Sequence, residues 1–393
     1  MRESVLNQMA GVGKPQRQFL LVLLMLLSGL RGRANFRNLS RYSDYHEKTF
    51  SRWYRRGFDF VEFNRLGLEM TVEPETVLIG AMDCSFIPKS GKHTEGLGKC
   101  YHGSRGKAEK GLEISTLAVV KVTENTAYNL STRQTPATMK NDESRVDFCL
   151  EHLKPDRESL AAQIRYLVAD GFDAQKKYLD GVAELNLYQI GKLRHDANLR
   201  WLYPGEQPPR GRKRLYDGKV KFDDLNRLDQ VEDFEGFQVY TAVVNRERFK
   251  RNRCIVYLVK QIGDQLQTAW LFSTDLDLEA HSIIRYYKAR FQIEFWFRDA
   301  KQFLGLNHCQ ARNAKALHFH FNASMTALNL IKLEDRLLHN DINPKVISIA
   351  SWKIRKANEP LLEHFSYHLG LDFNSIQSRP DFEPLCHYGA IAA

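Results

Sequence analysis

The sequence predicts an α/β core with a helical domain in front of it, on three observations. Helical, apolar-rich patterning fills residues 1–75, and strand-like and helical stretches alternate over 76–335. A turn-rich, β-patterned insertion at about 195–267 interrupts that alternation before a long helix. A chain of 393 residues can hold about two or three domains. Aromatics at 11% and hydrophobics at 43% indicate an ordered globular protein. A net charge of +10 points to an acidic partner, nucleic acid being the commonest, or simply to a basic soluble protein. The six cysteines are scattered without a CxxC pair, which excludes a disulfide framework or a cysteine zinc site and fits a reducing cytoplasm.

In the first 75 residues the run FLLVLLMLL (Phe19–Leu27) is too short for a membrane span, which needs about 20 residues, and lacks the flanks of a signal peptide. It reads as a buried helix. A short helix near Phe36–Tyr42 and a second from about His46 to Arg56 follow, with Ser43 or Asp44 as the cap of the second. On that second helix Lys48, Ser51, Arg52 and Arg55 share one face, while Phe50, Trp53 and Tyr54 turn inward. Three helices ending in a basic outer face fit a helix-turn-helix whose last helix enters the DNA major groove; an ordinary three-helix cap with solvated arginines fits as well.

The core opens with the strand TVLIGAMDCSFIPKSGK (Thr76–Lys92), whose apolar run is broken by Asp83. An unpaired carboxylate is costly to bury, so Asp83 lies at a strand end, in a salt bridge, or on a cation. Two strands over Gly111–Leu130 come next, then a helical stretch over Asp156–Ile164. A short strand follows, and Asp170 stands where it stops; functional groups of open α/β sheets gather at such carboxyl ends. Asp173 lies past Gly171 as its near competitor. A helix over 174–185 and the strand Leu187–Arg194 complete the unit. The insertion carries the basic loop PGEQPPRGRKRLYDGK (Pro204–Lys219), in which Arg210, Arg212, Lys213 and Arg214 either bind phosphates or are merely solvated. Its later strands span Gly236–Asn245 and Cys254–Ile262, and the chain returns to the core through Thr268–Asp275.

The long helix beginning near Asp277 holds YKARFQIEFWFRDAK (Tyr287–Lys301). Here Tyr287, Arg290, Glu294, Arg298 and Lys301 recur at helical spacing, while Phe291, Ile293, Phe295, Trp296 and Phe297 fill much of the remaining circumference. So apolar a helix is mostly buried, and its polar stripe needs partners: i,i+4 ion pairs such as Arg290–Glu294 and Glu294–Arg298, or a ligand. The order strand (Asp83), two strands, helix, strand (Asp170), helix, strand, insertion, helix (Glu294) is that of a ribonuclease-H-like fold. Such a fold can gather three distant carboxylates at one sheet edge. Hard divalent cations suit carboxylates and phosphate oxygens, and two of them about 3.5–4 Å apart stabilise the entering and leaving oxygens of a phosphoryl displacement.

Tyr287-x2-Arg290-x3-Glu294-x6-Lys301 resembles, at full spacing, the Y-R-E-K motif of DDE transposases of bacterial insertion sequences, insertion-sequence family four. VADG around Asp170 and the strand around Asp83 are similar to that family's other acidic motifs, over roughly Val77–Leu333. The resemblance implies that Asp83, Asp170 and Glu294 bind Mg²⁺, with Mn²⁺ as a substitute, and that Tyr287, Arg290 and Lys301 contact phosphates at the transposon end. It further implies double-stranded DNA, as terminal inverted repeats and target, as the partner. A homodimer on DNA, a cytoplasmic location and no membrane association go with it. In some relatives a flipped base stacks on a Trp of the insertion; Trp201 and Trp270 are the candidates, either of which also suits a core. His318 and His320, two apart on the next helix, point different ways and make a poor metal pair. Residues 336–393 read as a helical C-terminal region. The alternatives are a ribonuclease-H-like nuclease that cuts without transposing and a DNA-binding protein with a vestigial site.

Overall fold

The structure, a computed structural model, describes residues 1–139, 143–170, 175–194, 196–222, 224–247, 249–338 and 347–391. Five helices open the chain: α1 (Arg2–Gln8), α2 (Lys14–Gly29), α3 (Phe36–Arg41), α4 (Glu47–Trp53) and α5 (Phe60–Glu69). Pro15 sits in the first turn of α2, where a missing N–H removes no helical bond, and the apolar run follows with Leu20, Leu23, Leu24 and Leu27 buried. Helix α4 starts later than Ser43 or Asp44 would have it. His46 is its cap, accepting from the Lys48 N–H at 3.2 Å, while the Ser43 hydroxyl is turned back to the Leu39 carbonyl.

The core elements are β1 (Leu78–Pro88), β2 (Gly98–His102), β3 (Lys107–Lys121), β4 (Thr126–Thr135), α6 (Arg145–Asp156), β5 (Tyr166–Ala169), α7 (Lys176–Glu184) and β6 (Tyr188–Lys192). Strands β4, β3 and β1 form an antiparallel meander, and β5 and β6 add in parallel to β1 through helical crossovers. This is the ribonuclease-H-like arrangement expected from the element order. The helix expected over Asp156–Ile164 lies earlier, because Ser144 and Asp147 form a capping box that starts α6 and Pro155 falls in its last turn. A single 3-10 turn, Arg157–Ser159, follows.

The insertion supplies β7 (Leu199–Leu202), β8 (Tyr216–Lys219), β9 (Asp229–Phe234), β10 (Phe237–Arg246) and β11 (Arg251–Ile262), and the chain re-enters through β12 (Gln265–Ser273). Strand β12 pairs with β6 on one side and β11 on the other, so the insertion extends the core sheet to 12 strands among the described residues. Helices α8 (Ala280–Arg290), α9 (Gln292–Phe303), α10 (Ala314–Leu338), α11 (Ile349–His368), α12 (Phe373–Gln377) and α13 (Phe382–Cys386) complete the chain.

Helix α10 is buried along most of its length. It lies on β4, and its Asn322 and Asn329 side chains bond the strand's free edge at Thr132 and Asn129. On its other side Phe319 meets Phe19, Tyr54 and Phe60, so the N-terminal helices and the sheet share one hydrophobic cluster. No helix among the described residues is long and apolar enough to cross a membrane.

Candidate functional site

Strand β1 runs beside β5 with Met82 opposite Ala169. The next residues, Asp83 and Asp170, therefore lie side by side where β5 ends and β1 continues with β3 alone on its flank. Asp83 accepts from the Cys84 N–H at 2.8 Å, and its side chain is only 23% exposed. Burial pushes its carboxyl up to about 6; Arg290 opposes the shift, while the negative charges of Glu294 and Asp170 add to it. Glu294 and Asp170 thus act on Asp83 as near neighbours.

The stretch expected as one helix from Tyr287 to Lys301 is two, α8 and α9, joined at Phe291. The Phe291 N–H bonds the Lys288 carbonyl and the Glu294 N–H bonds the Phe291 carbonyl, both at 3.1 Å, so the joint is a tightened i→i+3 turn. Tyr287 and Arg290 end the first helix; Glu294, Arg298 and Lys301 belong to the second. Arg290 is 3% exposed, with Nη1 3.7 Å from Asp83 Oδ2 and Nη2 donating to Glu294 Oε1 at 3.0 Å. Burial alone would lower its pKa, yet Asp170 and Asp83 outweigh that and hold the guanidinium above its ordinary value. Lys301 donates to Ser85 Oγ at 2.7 Å, which ties α9 to β1 two residues past Asp83. Burial pulls the Lys301 ammonium down, with Asp83 opposing. Burial raises the Tyr287 hydroxyl, again against Arg290, whose guanidinium lies 5.6 Å from the ring centre.

Of the two helical ion pairs expected on this stripe, Arg290–Glu294 forms, whereas Arg298 turns to Asp299 and the Phe295 ring. Ile293, Trp296 and Phe297 are buried as expected; Phe291 and Phe295 are not, at 42% and 46% exposed. Each is half-covered by a guanidinium instead, Phe291 by Arg290 at 4.8 Å and Phe295 by Arg298 at 5.0 Å from the ring centre.

The structure therefore brings Asp83, Asp170, Tyr287, Arg290, Glu294 and Lys301 together. Helix α4 ends at Trp53, short of the Arg56 expected, so Lys48 and Arg52 are exposed on it and Arg55 is exposed in the turn beyond, with Phe50 and Tyr54 buried beneath. Asp173 lies outside the described residues. No group of three or more acidic, histidine or cysteine side chains among the described residues is arranged to hold a metal ion; Arg290 lies between Asp83 and Glu294 instead. Trp201 and Trp270 are buried, the first under Arg227 and the second stacked on Tyr257 at 4.3 Å. His320 is buried and donates to the Gly305 carbonyl at 2.9 Å. Arg210, Arg212, Lys213 and Arg214 are exposed, Arg214 pairing with Asp217. Ser85 was missed by sequence reading, although its two-residue step from Asp83 puts it on the same face of β1.

Carboxylates and cations gathered beyond the carboxyl end of a parallel strand mark the working edge of an α/β sheet. The chain belongs to the DDE transposase family: residues 79–330, well over half its length, match the family model described as the Transposase DDE domain. It is accordingly a transposase, a DNA-cleaving and DNA-joining enzyme. Comparison with curated proteins gives no match.

Proposed function

We propose that this transposase is of the insertion-sequence family-four type and that Asp83, Asp170 and Glu294 hold divalent metal, Mg²⁺ or Mn²⁺. The reading rests on one observation above all: three carboxylates from two strands and a helix act on one another around a buried arginine. The donor set fits the metal. All three are hard oxygen ligands, and Glu294 and Asp170 lie close enough to Asp83 for their charges to act on it. Bound there, the metal would lower the pKa of the attacking hydroxyl and neutralise the leaving oxygen in a two-metal displacement.

The chain's own residues do the rest. Arg290, once relieved of Asp83 and Glu294, offers a fork suited to a phosphate, and Lys301 a point charge beside β1. Tyr287 contributes a hydroxyl that stays protonated at neutral pH. Lys48, Arg52 and Arg55 form a basic face for the terminal inverted repeats. Cutting two ends together calls for a homodimer on DNA, and the exposed Leu361, Phe365, Tyr367 and Leu369 offer an apolar surface for a second copy. The protein would work in the bacterial cytoplasm.

The test uses a supercoiled plasmid carrying this gene with its native flanking DNA, incubated with the purified protein and Mg²⁺. Strand breaks at a pair of inverted repeats, followed by joining to target DNA, are expected. A chelator should abolish them and added Mg²⁺ restore them, and Glu294→Gln should leave DNA binding intact while removing the breaks. Metal-dependent nicking without end specificity would replace this reading with a nuclease, and binding without cleavage with a vestigial site.

A further inference from the structure

Two strands from β1, the free edge of β4 is closed by side chains in place of a strand. The Asn329 amide accepts from the Asn129 N–H at 2.9 Å and donates to the Asn129 carbonyl at 2.8 Å. Asn322 does the same for Thr132, at 3.0 and 2.8 Å. One amide meeting both backbone groups of one residue reproduces what a neighbouring strand offers. The two-residue period of a strand carries this outward row on to Gln134. There no side chain or loop among the described residues bonds the Gln134 N–H or carbonyl.

A cavity of about 700 Å³ opens at this point, walled by Phe58, Phe60 and Phe148, with Asp59 and Glu95 at its rim. The Thr135 hydroxyl lines it, 3% exposed and without a hydrogen-bond partner, as is the Gln134 Oε1. Asp59 and Glu95 each use one carboxylate oxygen on a helix N-terminus, the Glu62 and Ala314 N–H groups respectively, and keep the other. The one arginine in the wall, Arg133, is already held by Asp156 at 2.7 Å. The rim is therefore net negative, unsuited to a nucleic-acid phosphate and suited to a cationic side chain.

We propose that this cavity takes an extended peptide of a partner protein. Its main chain continues the strand-like row at Gln134, an apolar side chain enters among the three phenylalanines, and a lysine or arginine lies at Asp59 and Glu95. Main-chain pairing supplies affinity and the pockets supply selectivity, as in other cases of strand addition to a sheet edge.

The probe is a labelled short peptide, acetylated and amidated Val-Lys-Val-Arg-Val, titrated into the full chain at low salt and read by fluorescence anisotropy. A twin with its central amide N-methylated and another with glutamates for the two basic residues should each bind about tenfold more weakly or worse. Bound peptide should slow hydrogen exchange at the Gln134 amide in the wild-type protein. Two variants keep the fold. Glu95→Gln leaves a carbonyl for the Ala314 N–H, and Gln134→Pro removes the outward N–H together with the side chain's bond to the Glu95 carbonyl, a loss that Gln134→Ala shares and controls for. Glu95→Gln and Gln134→Pro should each weaken binding about threefold to tenfold, the latter beyond Gln134→Ala. Equal binding of the N-methylated twin, no change in exchange at Gln134, or no binding at millimolar peptide would overturn the proposal. Neither variant touches the acidic site, so DNA cleavage by both should stay near wild type, and the peptide result stands or falls separately from the transposase chemistry.

Discussion

Arg290 is the residue on which the acidic site turns. A buried guanidinium is tolerable only with close counter-charges, and here Asp83 and Glu294 supply them while its Nε has no partner. Its planar fork spans two acids at once, which the single ammonium of a lysine cannot do. Arg290→Lys should therefore keep the charge, lose the geometry, and lower single-turnover strand cleavage by about a hundredfold. A thermal transition near wild type would accompany that loss; a lysine variant that cuts as fast as wild type would remove Arg290 from the chemistry. The polar stripe was legible in the sequence because its steps follow the helical period, and Asp83 because a carboxylate breaks an apolar strand. The contact of Lys301 with Ser85 was not, since it joins residues 216 positions apart and depends on how α9 lies across β1. Nor was the joint at Phe291, because Phe291 carries no glycine- or proline-like mark of a break.

At the scale of elements, the stability of β4 rests on helix α10. Each of the two asparagines saturates the buried backbone N–H and carbonyl of one strand residue, and Asn329 also donates to Asn64 Oδ1. Asn329→Leu keeps the volume roughly but leaves both groups of Asn129 unpaired in the core, at a cost of about 2–4 kcal/mol. A urea titration should show the midpoint falling by that amount with the slope unchanged. A variant as stable as wild type would mean that water or a backbone shift replaces the amide. A sequence signal existed for this clamp: Asn322 and Asn329 are seven apart, on one face of the helix. The strand order was legible for the same kind of reason, since period-two runs separated by helical stretches restrict the sheet to few topologies. Boundaries were less so. The start of α6 is decided by the Ser144–Asp147 box, a local hydrogen-bond choice that apolar patterning does not report. The polar β2 has no hydrophobic alternation to announce it.

For the whole molecule, two buried histidines set an acid limit. Burial holds His152 down to about 3 and His320 to about 4, so both are neutral in the folded chain. Their folded values lie below the unfolded one near 6.5, so their contribution is full above that pH and is lost as pH falls, by about 1.4 kcal/mol per unit for each. Asp83, raised to about 6, works the other way between 6 and the unfolded carboxyl range. Over pH 7 to 5 the two histidines lose more than Asp83 returns, so stability should fall across that interval, and a urea midpoint independent of pH there would contradict it. A last consequence concerns the helices before β1. Phe319 on α10 packs against Phe19, Tyr54 and Phe60, and Leu20, Leu23 and Leu24 belong to the same cluster as Phe321 and Leu328. The basic face of α4 is thus carried on the helix that also closes β4, which fixes any DNA held by Lys48, Arg52 and Arg55 relative to the sheet. Removing residues 1–75 would bare a dozen or so large apolar side chains, at about 1.5–3 kcal/mol each, against a total stability of about 5–15 kcal/mol. The remaining fragment should fail to unfold cooperatively and should bind a hydrophobic dye in its isolated state. A soluble, monomeric fragment 76–393 with a sharp thermal transition would show instead that the sheet and α10 stand without those helices.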